Sequence, residues 1–216
     1  MELYESEEQQ LEAIKKWFGE NGRAIVVGLV IGIGSILAWN GWQSYKANRA
    51  LAASSLFQEL LKAAESDNAD SLVKLADNIK KDYPGSAYAD YAHFFLAKHH
   101  AESGELEPAR KEFESVLAES SDASIKNIAR IRLLRILLAE QKYQETLDLI
   151  NGFNVSSSGK FEAAYEELKG DAYVRLGKER EARSAYQRAT ELGRTSRFLD
   201  LKIEDLPVPR RPENSQ

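Results

Sequence analysis

Apolar and polar residues are arranged along this chain in two distinct ways. From Ala24 to Tyr45, in "AIVVGLVIGIGSILAWNGWQSY", no residue carries a charge and apolar side chains fall on all sides of a helical projection. At about 1.5 Å per residue such a stretch extends about 33 Å as a helix, enough to cross a hydrocarbon core about 30 Å thick. After Tyr45 the apolar positions recur three and four residues apart and are interrupted by turn residues, the period of amphipathic helices. The pattern predicts an all-α protein, with a single N-terminal transmembrane helix followed by helical hairpins.

The ends of the apolar stretch sharpen its reading. All three tryptophans stand there, Trp17 ahead of it and Trp39 and Trp42 at its far end, with Phe18 and Tyr45 alongside. Amphipathic rings prefer the headgroup level, so these residues read as two aromatic belts. A cleaved export signal would begin short and basic. Here the leader is long and acidic, and the small residues Ala50 to Ala52 lie beyond Lys46 and Arg49 within a helical pattern. An uncleaved signal-anchor over 23–45 is expected. Ala24, Gly28 and Gly32 recur every fourth residue, a spacing that lets a partner helix approach closely. In residues 1–22, Leu3, Leu11, Ile14, Trp17 and Phe18 form an amphipathic stripe suited to a membrane surface or to a protein partner. Lys15, Lys16 and Arg23 precede the span and Lys46, Arg49 and Lys62 follow it, so charge alone leaves its orientation nearly tied.

The remainder, 46–200, repeats. Setting Ala97 against Gly170 brings Gly104 onto Gly177, Ala109 onto Ala182 and Phe113 onto Tyr186. A weaker copy between them carries Leu134, Thr146 and Ile150. The steps are about 37 and 36 residues, and the small, aromatic and glycine positions resemble the tetratricopeptide repeat. That resemblance implies a right-handed helical solenoid in which each hairpin buries its apolar face only by stacking on the next. A more divergent pair precedes these copies, from about Tyr45 to Ala64 and Ala69 to Asp82, with Leu56, Leu60, Leu61, Leu72, Leu75, Ala76 and Ile79 as its stripe. Small residues such as Gly170 and Ala182 let paired helices approach, and Tyr173 and Tyr186 fill the space between hairpins. Residues 201–216, with three prolines and no apolar period, read as a disordered tail.

Composition removes several classes of function. There is no cysteine, hence no disulfide framework and no thiolate chemistry. Residues 1–23 hold three Lys or Arg against six Asp or Glu, leaving 26 against 28 in the rest, so the basic footprint of a nucleic-acid binder is missing. "NGFNVSSSGKF" lacks the glycine spacing and the Ser/Thr of a phosphate loop. His93, His99 and His100 carry no metal-site pattern. No catalytic residue, metal or cofactor is expected, and the chain reads as a binding protein. In a repeat solenoid the first helix of each pair lines the groove. Projection places Tyr91, Phe94 and Lys98 there in one copy, Arg135 in the weak copy, and Asp171 and Arg175 in the last. Aromatic and arginine side chains suit a peptide or helix ligand.

The order of features is itself specific: an acidic leader with "EAIKKWFGENG", the span, and repeats closing on "GDAYVRLGKEREARSAY". In this order, and over nearly the whole chain, it resembles the YfgM family of ancillary subunits of the bacterial Sec translocon. The resemblance implies a bacterial inner-membrane protein with a cytoplasmic N-terminus and a periplasmic repeat domain. It also implies association with the SecYEG channel and with a membrane-anchored periplasmic chaperone of the prolyl-isomerase type, with unfolded exported chains as further candidates. The residues taken alone leave two other readings open: a scaffold for cell division or wall synthesis, and a cytoplasm-facing regulatory module.

Overall fold

The structure is a computed structural model, and it describes residues 7–207; Leu3 of the leader and the tail from Val208 lie outside them. Among the described residues all regular structure is helical: α1 (Glu7–Glu65), α2 (Ala69–Asp82), α3 (Ala87–Glu102), α4 (Leu106–Glu119), α5 (Ala123–Ala139), α6 (Tyr143–Asn151), α7 (Glu162–Arg175), α8 (Glu179–Glu191) and α9 (Arg197–Glu204). A short 3₁₀ segment, Val155–Phe161, leads into α7. Two compact units are present, residues 1–52 and 53–216, and the boundary falls within α1.

In the first unit the apolar stretch is helical throughout and none of it is buried against other parts of the protein. Trp17 and Phe18 meet edge to face at 5.9 Å, and Lys46 Nζ lies 5.9 Å from the Trp42 ring. Ser35, the single hydroxyl in the middle of the span, donates to the Ile31 carbonyl at 2.8 Å. That bond satisfies a polar group within the helix itself, as an apolar solvent requires. Ala24 is exposed, and a Cβ placed at Gly28 or Gly32 would meet open space.

The second unit is built from antiparallel pairs, and one backbone feature marks each of them. Asp67, Gly104, Gln141 and Gly177 all have positive φ, at 54°, 78°, 63° and 71°, in steps of 37, 37 and 36 residues. At each, the following amide reaches back five residues: Asn68 to Ala63, Glu105 to His100, Lys142 to Leu137 and Lys178 to Tyr173, at 2.8–2.9 Å. This left-handed C-terminal motif closes the first helix of each pair. The divergent pair expected ahead of the three copies shares their turn, with the end of α1 serving as its first helix. At the matched positions Leu60, Ala97, Leu134 and Gly170 are buried in turn, as are Leu72, Ala109, Thr146 and Ala182.

Two of these turns pass through αL without glycine, a conformation costing an L-residue on the order of 1 kcal/mol. Gln141→Gly is expected to stabilise the domain by about that amount, reduced by the greater freedom of glycine in the unfolded chain. Thermal unfolding followed by circular dichroism should show a rise of a few degrees. A fall would mean that the Gln141 side chain makes a compensating interaction.

Caps and cross-helix ties set the remaining register. Ser86 Oγ accepts from the Ala89 amide at 3.2 Å, and Asp122 Oδ1 from those of Ser124 and Ile125 at 2.7 and 3.0 Å. Between helices, Glu112 of α4 takes His93 of α3 at 2.5 Å and Lys80 of α2 at 2.9 Å. Burial pushes the Glu112 carboxyl up, but the hydrogen bonds from His93 and Lys80 outweigh it and hold the group below its usual range. His93 is thus part of a tie among three helices.

At the C-terminal end, the boundary expected at 200 cuts through a helix. α9 runs to Glu204, with Leu199 fully buried and Leu206 nearly so. Arg183 of α8 donates to the Leu206 and Pro207 carbonyls at 2.9 and 3.0 Å. Residues 201–207 belong to the folded domain, because without α9 the apolar surface of Ala182, Tyr186 and Ala189 would face water. The residues of α9 do not repeat the small, aromatic and glycine positions of the copies, so the repeat pattern gives no warning of this helix.

Candidate functional site

Three helices, α3, α5 and α7, present the outward residues of successive pairs. On α3, Tyr91, Phe94 and Lys98 follow one another at spacings of three and four, which puts them on one face. Phe94 and Lys98 line an open cleft of about 480 Å³ together with Arg135 of α5. Phe95, Ile128 and Arg132, which the projection omitted, line the same cleft. Phe94 is half-buried and lies 5.8 Å from Phe113 of α4 with the rings tilted by 53°, so its ring forms the floor. Ile128, Arg132 and Arg135 are exposed and spaced four and three apart on α5, a helical stripe that a stricter projection of that helix reveals. Tyr91 stands apart from the cleft, with its ring 5.7 Å from Phe57 and 43% of its surface exposed.

The last two projected residues belong to a second cleft, of about 470 Å³. Asp171 and Arg175 meet there with Tyr143 of α6, Tyr186 of α8, and Phe198 and Lys202 of α9. Arg175 is exposed. Asp171 is engaged, accepting from the Tyr186 hydroxyl at 2.8 Å and from Lys202 Nζ at 2.9 Å. Burial first, and the Asp171 carboxylate second, hold the Tyr186 hydroxyl far above its usual range, so it stays a donor.

Beneath them Glu167, a buried carboxylate, takes Lys202 at 2.8 Å and also Arg194. Burial raises the Glu167 carboxyl, yet its hydrogen bonds from Lys202 and Arg194 prevail and keep it ionised below the ordinary range. Lys202 Nζ also lies 4.9 Å from the Phe198 ring. The chain's own α9 therefore supplies the ion partners of this second cleft, a role that residue spacing in the repeats could not disclose.

Neither cleft is lined by serine, threonine, cysteine or histidine. Among the described residues no group of three or more His, Cys, Asp or Glu is placed to hold a metal ion. What the arrangement offers is an apolar floor with guanidinium and ammonium groups at its rim, which is suited to binding another chain.

Comparison with known proteins accords with this architecture. Residues 15–208 match the family model of the tetratricopeptide repeat-like domain. The ancillary SecYEG translocon subunit of Escherichia coli (strain K12) is 31% identical over 217 residues, covering 96% of this chain and all of that protein. The protein of the same name from Haemophilus influenzae is 25% identical, covering 87% of this chain and 90% of its own length. Among solved structures, that of Pseudomonas aeruginosa pilF superposes with a TM-score of 0.59 at 19% identity, over 73% of this chain and 68% of its own. That last likeness is one of fold. Among the described residues one unburied helix is long and apolar enough to cross a membrane, which fits a single-pass protein of the inner membrane. The repeat-like domain and the end-to-end relationship together make the chain a member of the ancillary SecYEG translocon subunit family.

Proposed function

We propose that this chain is a membrane-tethered adaptor that associates with the Sec translocon and holds chaperones, or emerging chains, near its exit. In this reading the N-terminus is cytoplasmic, α1 crosses the inner membrane once, and the repeat domain is periplasmic. The groove engages a membrane-anchored chaperone of the prolyl-isomerase type. The observation that carries the reading is the union, in one chain matching translocon subunits along its length, of an unburied apolar helix with a repeat domain that leaves an open cleft. Tethering supports it physically. A domain confined near its target acts at a high effective concentration, so a modest groove affinity suffices. The exposed Ala24, Gly28 and Gly32 face offers close packing to a channel helix.

Photo-crosslinkers at Gly28 and Gly32 are expected to capture channel subunits, and crosslinkers at Phe94 and Arg175 a chaperone or an exported chain. Failure at both places would end the adaptor reading. Orientation is tested separately: protease added to intact spheroplasts should digest the repeat domain without lysis. Protection of that domain would place it in the cytoplasm.

A further inference from the structure

Several charged groups in the repeat domain are paired across helices. Lys80 meets Glu112 at 2.9 Å, Arg188 meets Glu162 at 3.5 Å, Arg110 meets Glu145 at 3.6 Å, and Lys202 bridges Glu167 and Asp171. The charged residues lining the cleft between α3 and α5 make no such cross-helix pair. Its rim holds Lys98, Arg132 and Arg135 against one carboxylate, Glu102, and that carboxylate already lies 3.6 Å from Lys98. Among the described residues neither Arg132 nor Arg135 has a carboxylate within ion-pair distance. In the second cleft, similar in volume, Lys202 is neutralised by Glu167 and Asp171, which leaves Arg175 as the lining cation with no carboxylate within ion-pair distance among the described residues. The domain as a whole is nearly neutral, so composition alone does not produce this local excess.

We propose that the α3–α5 cleft recognises an acidic peptide segment, in which an aromatic or branched aliphatic side chain enters the apolar floor and flanking carboxylates pair with Arg132 and Arg135. This rests on the adaptor reading and names the chemistry of its ligand. Two features select a peptide over a simple anion. The lining is mainly apolar, with exposed Ile128, half-buried Phe94 and Phe95, and Ile136 buried at its base, and a small anion would leave that surface wet. Arg132 and Arg135, three apart on one helix, have Cβ atoms about 5–6 Å from each other. Carboxylates two residues apart on an extended segment span about 6.6 Å and meet both guanidinium forks. The second cleft, with Lys202 paired to Asp171 in its wall, offers an acidic ligand only Arg175.

The test uses the full chain in phosphatidylcholine nanodiscs and a fluorescent peptide in which Asp and Glu flank one Phe and one Leu. Anisotropy should report saturable binding, weakened roughly tenfold or more by R132E with R135E. The same charge change at K178E with R180E, exposed residues at the start of α8, should leave binding unchanged. A peptide with Lys in place of its acids should bind the R132E/R135E protein and not the parent, which also shows that the variant is folded. Equal weakening by both double variants would reduce the effect to net charge and overturn the proposal. So would absence of binding, or competition by phosphatidylglycerol vesicles that depends on Arg132 and Arg135, which would assign the cleft to lipid. If the peptide fails while crosslinkers at Gly28 and Phe94 still capture partners, the adaptor reading survives and this inference does not.

Discussion

Replacing Gly170 with alanine is expected to destabilise the repeat domain by about 1–3 kcal/mol, against the usual direction of a glycine-to-alanine change in a helix. A Cβ at this position would overlap the Tyr186 ring. That ring is 2% exposed and cannot swing away, because its hydroxyl is bonded to Asp171 and Lys202 Nζ lies 5.7 Å from its centre. α7 and α8 would have to separate, loosening the pairing that buries Ala182 and Ala189. The decisive measurement is a double-mutant cycle by urea or thermal unfolding. With Tyr186→Leu already in place the overlap is relieved. Gly170→Ala should then be neutral, or stabilising by up to about 1 kcal/mol from helix propensity. The same loss in both backgrounds would show that the glycine matters for another reason. In the intact protein the melting temperature should fall by several degrees.

Glu167→Ala should release the C-terminal helix. Glu167 is the buried acceptor for Arg194 and Lys202, and its removal leaves two cations facing one another with only Asp171 to serve them. Breaking a buried ion pair from one side costs about 3–5 kcal/mol. Arg194 is 37% exposed and water compensates it in part, so about 2–3 kcal/mol is the expected loss. Hydrogen exchange should show α9 losing protection well before α3 to α5. Acid should act in the same way. The folded Glu167 carboxyl lies below its ordinary value near 4.3, so its contribution is complete above that pH and is lost as pH falls through the lower, folded value. Above about pH 5 protection of α9 should be flat, and below about pH 4 it should decline, with the Glu167→Ala protein lacking that step. Unaltered exchange in α9 would mean that Leu199 and Leu206 alone hold the helix in place.

Much of this architecture is legible in residue order because its physics is local. An uncharged stretch of about 22 residues with tryptophans at both ends states its own solvent, and no folding partner is needed to read it. Likewise, Gly104 and Gly177 announce turns, and Ala97, Ala109 and Phe113 return as Gly170, Ala182 and Tyr186 because every hairpin solves the same packing problem. The divergent first pair and the weak copy lack this glycine signal. Asp67 and Gln141 adopt the turn conformation without being glycine, so only their φ angles reveal that they occupy the repeat position.

The candidate site divides along the same line. Phe94, Lys98 and Arg135 could be placed on groove-facing helices because a helix face follows from spacing three and four. Their union with Ile128 and Arg132 around one cleft depends on how α3 and α5 stack. Asp171 projected to a groove position, but residue order does not show that Lys202, 31 residues later, would be its partner. The residue order thus determined the solvent of the first unit and the repeated fold of the second, through local periodicity. Which charges remain free for a ligand, at Arg132 and Arg135, and which are already taken, at Glu167 and Asp171, only the tertiary structure decided. An ion pair between distant segments is set by three-dimensional proximity, which leaves no period in the sequence.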